Sequence, residues 1–241
     1  MQSIGLDTIE QASPWERLAL GSGILAGGCH IAFLALFVAL IAPAMPPMEA
    51  PAAQAAAFYA EQSRNPAYLL ISYLFQAQLL LLVPFFGGLF GILRRAEGGS
   101  GALAASVFAA GVAVAVISPL AEMIEHHLLL GLAAAGADPL IVRGFDGMAP
   151  ISFALCGFPQ AVALGGTSAI ILGRRLASRW LGWIGVALAA LSLAATGALA
   201  APELFLIGML AALLFKIWIM ALSVALLRGA RTARVAPLPA Y

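Results

Sequence analysis

Nine side chains in this sequence could do chemistry in a place where chemistry is rare. His30, Gln76, Gln78, Glu122, Glu125, His126, His127, Gln160 and Lys216 all interrupt long apolar stretches. An ionisable group inside an apolar membrane segment is costly, so it faces the interior of a bundle or water and marks a site. Four kinds of chemistry fit these residue types. Polar groups can hydrogen-bond across helices, with Glu122 or Glu125 neutralising Lys216. They can line a cavity that takes a ligand or a proton. His30 with His126 or His127 can offer two axial nitrogens to a haem, or with Glu122 three ligands to zinc. Lys216 with a carboxylate counter-ion has the groups of a Schiff-base site.

The elements that must carry these residues follow from hydropathy. Apolar runs cover residues 18–42, 67–93, 102–132, 148–172, 180–201 and 203–227. Each is long enough to cross a hydrocarbon core of about 30 Å at about 1.5 Å per residue. The composition is 63% hydrophobic and 10% charged, against about 25% charged in soluble domains. A soluble fold would leave these runs uncovered, and six spans with short links leave no room for a second domain.

Charge orients the spans. Of the twelve basic residues, Arg17, Arg94, Arg95, Arg174, Arg175, Arg179, Arg228, Arg231 and Arg234 fall on one side if the helices alternate. Arg64 and Arg143 fall on the other, and Lys216 lies within a span. Positive flanks stay cytoplasmic, so both termini are expected there. A net charge of +1 shows no nucleic-acid footprint. Eleven arginines against one lysine, with abundant alanine, suit a GC-rich bacterial genome and an inner-membrane location. Asp7, Glu10 and Glu16 stand where the basic region of a signal peptide would be. The bilayer is the expected partner, with other membrane subunits as an alternative.

Local signals punctuate this pattern. Ser13, Pro14 and Glu16 form a helix start of the capping-box type. Pro43, Pro46, Pro47 and Pro51 break the chain after the first span. Ala52–Asn65 then reads as a short helix on the outer surface, in the first external loop. A second external loop is expected at 133–147. Gly23 with Gly27, and Gly87 with Gly91, are GxxxG pairs that permit close helix contact, read as packing within the chain. Pro84, Pro119 and Pro159 fall inside spans and are expected to kink them. Cys29 and Cys156 lie in spans without a metal-binding or redox spacing, so they read as apolar fillers.

Depth arithmetic adds one coincidence. His30 and Gln160 each lie 12 residues from the outer end of their spans, about 18 Å down. Lys216 lies 13 residues past Glu203, about 20 Å down. Gln76 and Gln78 come in slightly nearer the outer face. The run at 102–132 is too long for the core if straight, so the Glu122–His127 cluster is expected in the outer half of the bilayer or at its surface.

One part of the chain resembles a known pattern. Arg174-Arg175-Leu176 is followed by Arg179-Trp180-Leu181-Gly182-Trp183-Ile184-Gly185, and a last span carrying Trp218 ends in Leu226-Leu227-Arg228. With the glycine-rich first span and Arg64-Asn65-Pro66, this resembles a domain-of-unknown-function family of bacterial six-helix membrane proteins. The resemblance implies six helices, no assigned activity and no catalytic residue.

The expectation is therefore an all-α six-helix transmembrane bundle with both termini cytoplasmic. No GxSxG, phosphate loop or HExxH pattern points to catalysis, which favours a non-enzymatic protein without a cofactor. A polar interior cavity would have His30, Gln160 and Lys216 as its floor and Glu122 and His126 as its outer wall, and would hold a small ligand, lipid or proton. An accessory subunit of a larger complex, and a haem- or metal-dependent redox protein, are the alternatives.

Overall fold

The architecture was obtained as a computed structural model that describes residues 12–47, 49–123, 127–201 and 204–235. Every regular element among these residues is helical. The α-helices are α1 (Pro14–Leu40), α2 (Ala52–Gln62), α3 (Pro66–Leu80), α4 (Leu82–Glu97), α5 (Ala102–Met123), α6 (Leu129–Ala134), α7 (Pro139–Asp146), α8 (Ala149–Arg174), α9 (Arg179–Ala195) and α10 (Phe205–Val235). Six stretches are long and apolar enough to cross a membrane: Pro14–Ala44, Pro66–Glu97, Ala102–Pro119, Ala154–Arg174, Arg179–Leu199 and Leu206–Gly229. This is a six-helix transmembrane bundle.

The helices close into a ring. α1 packs on α3, α4 and α10; α5 joins α4 to α8; α8 packs on α9, and α9 on α10. The basic links gather at one end. There Ser13 caps α1 through Glu16 N, and the Glu16 side chain returns to Ser13 N. The same carboxylate holds the Arg95 guanidinium of α4 in a two-pronged pair at 2.8 and 3.0 Å. Gly91 makes room for it, since a Cβ there would meet Glu16 Oε1. Trp15, Trp180 and Trp183 are exposed at this end, as interfacial tryptophans are.

The glycine pairs are only partly as expected. Gly23 and Gly27 face Phe85, Ser223 and Met220 of the same chain, so this pair serves packing within the bundle. In α4 the close contact comes from Gly88 and Gly91 against α1. A Cβ on Gly87 would meet nothing within 4 Å, because that residue faces outward. The Trp-Leu-Gly motif has a similar basis. Trp218 Nε1 donates to Leu181 O at 3.0 Å, and its ring covers Gly185, where a Cβ would lie 3.0 Å from the ring.

The prolines act unequally. The second span is interrupted at Leu81, just before Pro84. Phe85 N reaches Leu81 O at a long 3.4 Å, and Ser22 Oγ of α1 supplements it at 2.9 Å. Pro119 and Pro159 are instead accommodated inside α5 and α8.

A second group of helices lies at the other end of the bundle. The run read as one span over 102–132 is helical in α5 up to Met123 and helical again from residue 127 into α6. Among the described residues its membrane-capable part is Ala102–Pro119, while α6 packs with α2 and α7 in a cap of short helices. The segment expected to be a loop at 133–147 contains α7, started by Asp138, whose side chain accepts from Leu140 N. The surface helix expected over Ala52–Asn65 is α2. Ile41, Phe58, Tyr59, Tyr68, Ile71, Leu129, Leu130 and Val142 form the cap's own apolar core. The main core, around Leu20, Phe85, Phe215, Ile219 and Leu222, fills the basic half.

Candidate functional site

Between the two cores lies a cavity of about 330 Å³. α1 supplies His30, Phe33, Leu34 and Phe37; α3 supplies Ile71, Ser72, Phe75 and Gln78; α10 supplies Met209, Ala212 and Lys216. Ser118 of α5 and Cys156 and Gln160 of α8 close the far side. Phe58 and Tyr59 of α2 and Asp146 of α7 line it from the cap. The lining is predominantly apolar, unlike the polar interior expected from sequence, because aromatic and aliphatic side chains surround a few polar groups.

Those polar groups are incompletely matched. Gln78 is fully buried, and His30 and Lys216 are nearly so. Among the described residues, the protein offers no hydrogen-bond partner to His30 Nδ1, to either polar atom of the Gln78 amide, or to Lys216 Nζ. Lys216 Nζ sits 5.6 Å from the centroid of the Phe215 ring, and it lies within electrostatic reach of His30 and Cys156. Buried polar atoms are almost always paired, so orphan groups from three helices around one cavity are unusual. Other buried hydroxyls without a partner, Thr167, Ser168, Ser192 and Ser223, lie outside the lining.

Of the residues expected at a site, His30, Gln78, Gln160 and Lys216 line this one cavity. Gln76 does not line it. Two residues before Gln78 on a helix, it points elsewhere, and its Nε2 reaches Pro119 O at 3.5 Å. Glu125 and His126 lie outside the described residues, and the side chain of Glu122 does too. His127 is exposed. Among the described residues, no three His, Cys, Asp or Glu side chains are grouped as metal ligands would be. Both cysteines are free thiols, and Cys156 Sγ lies 3.0 Å from Ser118 Oγ.

Sequence reasoning missed the groups at the cap. Tyr59 OH donates to Asp146 Oδ1 at 2.5 Å, and Arg143 donates to Asp146 Oδ2 at 2.7 Å. One carboxylate thus ties α2 to α7 beside the cavity. Asp146→Ala should loosen the cap and leave the bundle intact. Faster amide exchange confined to α2 and α7 is the expected result, and unchanged protection there would remove this tie from the account.

Fold and site together define a multi-pass helical membrane protein with an apolar cavity holding a few orphan polar groups. Comparison with family models, curated proteins and solved structures finds no match.

Proposed function

We propose that this chain is a non-enzymatic protein of a bacterial inner membrane, with both termini cytoplasmic, that holds a small amphipathic ligand in its central cavity. The ligand's polar head meets His30, Gln78 and Lys216, and its apolar part lies against Phe33, Phe37, Phe58 and Phe75. The observation that carries this reading is the convergence of orphan, buried polar atoms from α1, α3 and α10 on one cavity. Leaving a buried donor or acceptor unmatched costs about 1–3 kcal/mol, and a ligand that completes the pairing recovers that cost on binding. The volume falls at the small end of the range of about 300–1,000 Å³ for small-molecule sites. The positive flanks favour an arrangement in which the cap faces outward, so the ligand is loaded from the outer side. Membership of the six-helix family named above remains part of the proposal, resting on the Arg179–Gly185 and Trp218 pattern.

The test is to purify the protein in a mild detergent, take its absorption spectrum, and denature it to release whatever it carries for mass spectrometry. A stoichiometric amphipathic molecule, lost on replacing Gln78 by Leu in a protein that still folds, is the expected result. Protein that carries no such molecule, and that no amphipathic compound stabilises against heat, would refute the reading.

A further inference from the structure

We infer that the cavity's ligand is a single-chain monocarboxylate, its carboxylate held by Lys216 Nζ and Gln78 Nε2 and its hydrocarbon tail lying among the phenylalanines below the cap. This rests on the ligand-cavity reading above and names its chemistry.

Charge selects the head group. Among the described residues, one amine and one carboxyl side chain line the cavity, Lys216 and Asp146. Asp146 is already matched by Arg143 at 2.7 Å and by the Tyr59 hydroxyl. Lys216 has no such match among the described residues: its Nζ is buried without a hydrogen-bond partner. Gln78 brings a second orphan donor, the amide Nε2. A lysine amine and an amide N–H facing one space suit an acid, which can protonate the amine on entry and then accept from both donors. A carboxylate fits these two donors, with two oxygens to accept from them. A phosphate monoester carries about −1.5 to −2 and would leave net negative charge in an apolar cavity with one unmatched cation. An alcohol supplies an acceptor and is too weak an acid to protonate the Lys216 amine.

Shape selects the tail. Phe33 stacks on Phe37 at 6.0 Å and meets Phe75 edge-on at 5.0 Å. These rings line the same cavity as the orphan donors. With about 330 Å³, the space suits one medium-length chain.

The experiment uses the full chain in lipid nanodiscs, with empty nanodiscs to subtract partitioning into lipid. Labelled decanoate, decanol and decyl phosphate share a tail and differ in the head. Decanoate is expected to bind saturably at one per chain, and about tenfold or more tighter than either of the others. Lys216→Met should remove that preference and bring decanoate down to the level of decanol. Should Lys216→Met fail to fold, the ranking of the three probes on the unaltered protein still decides. Decanol or decyl phosphate binding as tightly as decanoate would overturn the carboxylate and leave the ligand cavity standing. Saturable binding of none of the three would overturn both.

Discussion

Lys216→Met should make the ligand-free protein more stable, by about 1–3 kcal/mol, the usual cost of a buried polar group left without a partner. Lys216 is 3% exposed, and its Nζ has no hydrogen-bond partner in the protein among the described residues. Methionine keeps an unbranched side chain of similar length and brings no charge, so it fills the same channel without an orphan donor. The sign is the informative part. If Lys216 were held in a buried ion pair with Glu122 or Glu125, removing the ammonium would strand a carboxylate, and the same substitution would cost about 3–5 kcal/mol. The two accounts therefore differ in direction. Reversible unfolding of ligand-stripped protein in mixed micelles reads it directly, and a fall in stability would establish a resident counter-ion for Lys216. Saturating decanoate should then reverse the order of the two proteins. A ligand that binds only the native state stabilises it in proportion to the logarithm of its saturation, and the variant has lost the ammonium on which that binding depends. A protein whose lysine serves packing alone would show no such reversal.

The spans were legible because each is a continuous apolar run of sufficient length, and no packing detail is needed to see one. His30, Gln160 and Lys216 were legible for a related reason. Polar groups at membrane depth are rare, and a fixed rise per residue converts position in a span to depth. Which way a side chain points was harder. α3 and α5 are apolar on all sides, so no polar face distinguishes Gln76 from Gln78, though one reaches Pro119 O and the other lines the cavity. The cap was hidden for a different reason. α6 is a six-residue helix whose sequence, Leu-Leu-Gly-Leu-Ala-Ala, continues the apolar run of α5. Short helices owe their stability to tertiary packing rather than to propensity, and that packing comes from α2 and α7. The link from Tyr59 to Asp146 joins residues 87 apart in sequence, and no local pattern announces it.

Gly23→Val should destabilise the protein strongly, while Gly28→Val, five residues on along the same helix, should be nearly silent. A Cβ at position 23 would lie 2.3 Å from Ser223 Oγ and 2.5 Å from Phe85 Cδ2, far inside van der Waals contact. α1 would have to move off both α4 and α10. Overpacking of this kind costs about 1–3 kcal/mol, and the cost rises when a rigid ring such as that of Phe85 is the obstacle. At position 28 a Cβ meets nothing within 4 Å, so valine there projects into open space. Both substitutions raise the hydrophobicity of α1 by the same amount, so a difference between them cannot come from membrane insertion. The effect should also reach the cavity. Gly27 packs against Met220 and comes close to the Lys216 carbonyl, where a Cβ would lie 3.3 Å away. One turn further along α1 stands His30. The close crossing of α1 and α10 therefore sets His30 beside Lys216, and pushing the helices apart at Gly23 should separate the two. Thermal unfolding and decanoate binding on both variants check this, with both properties expected to fall for Gly23→Val alone. A Gly23→Val protein that melts normally but changes its mass in solution would assign this glycine pair to contact between chains, contrary to the packing described here.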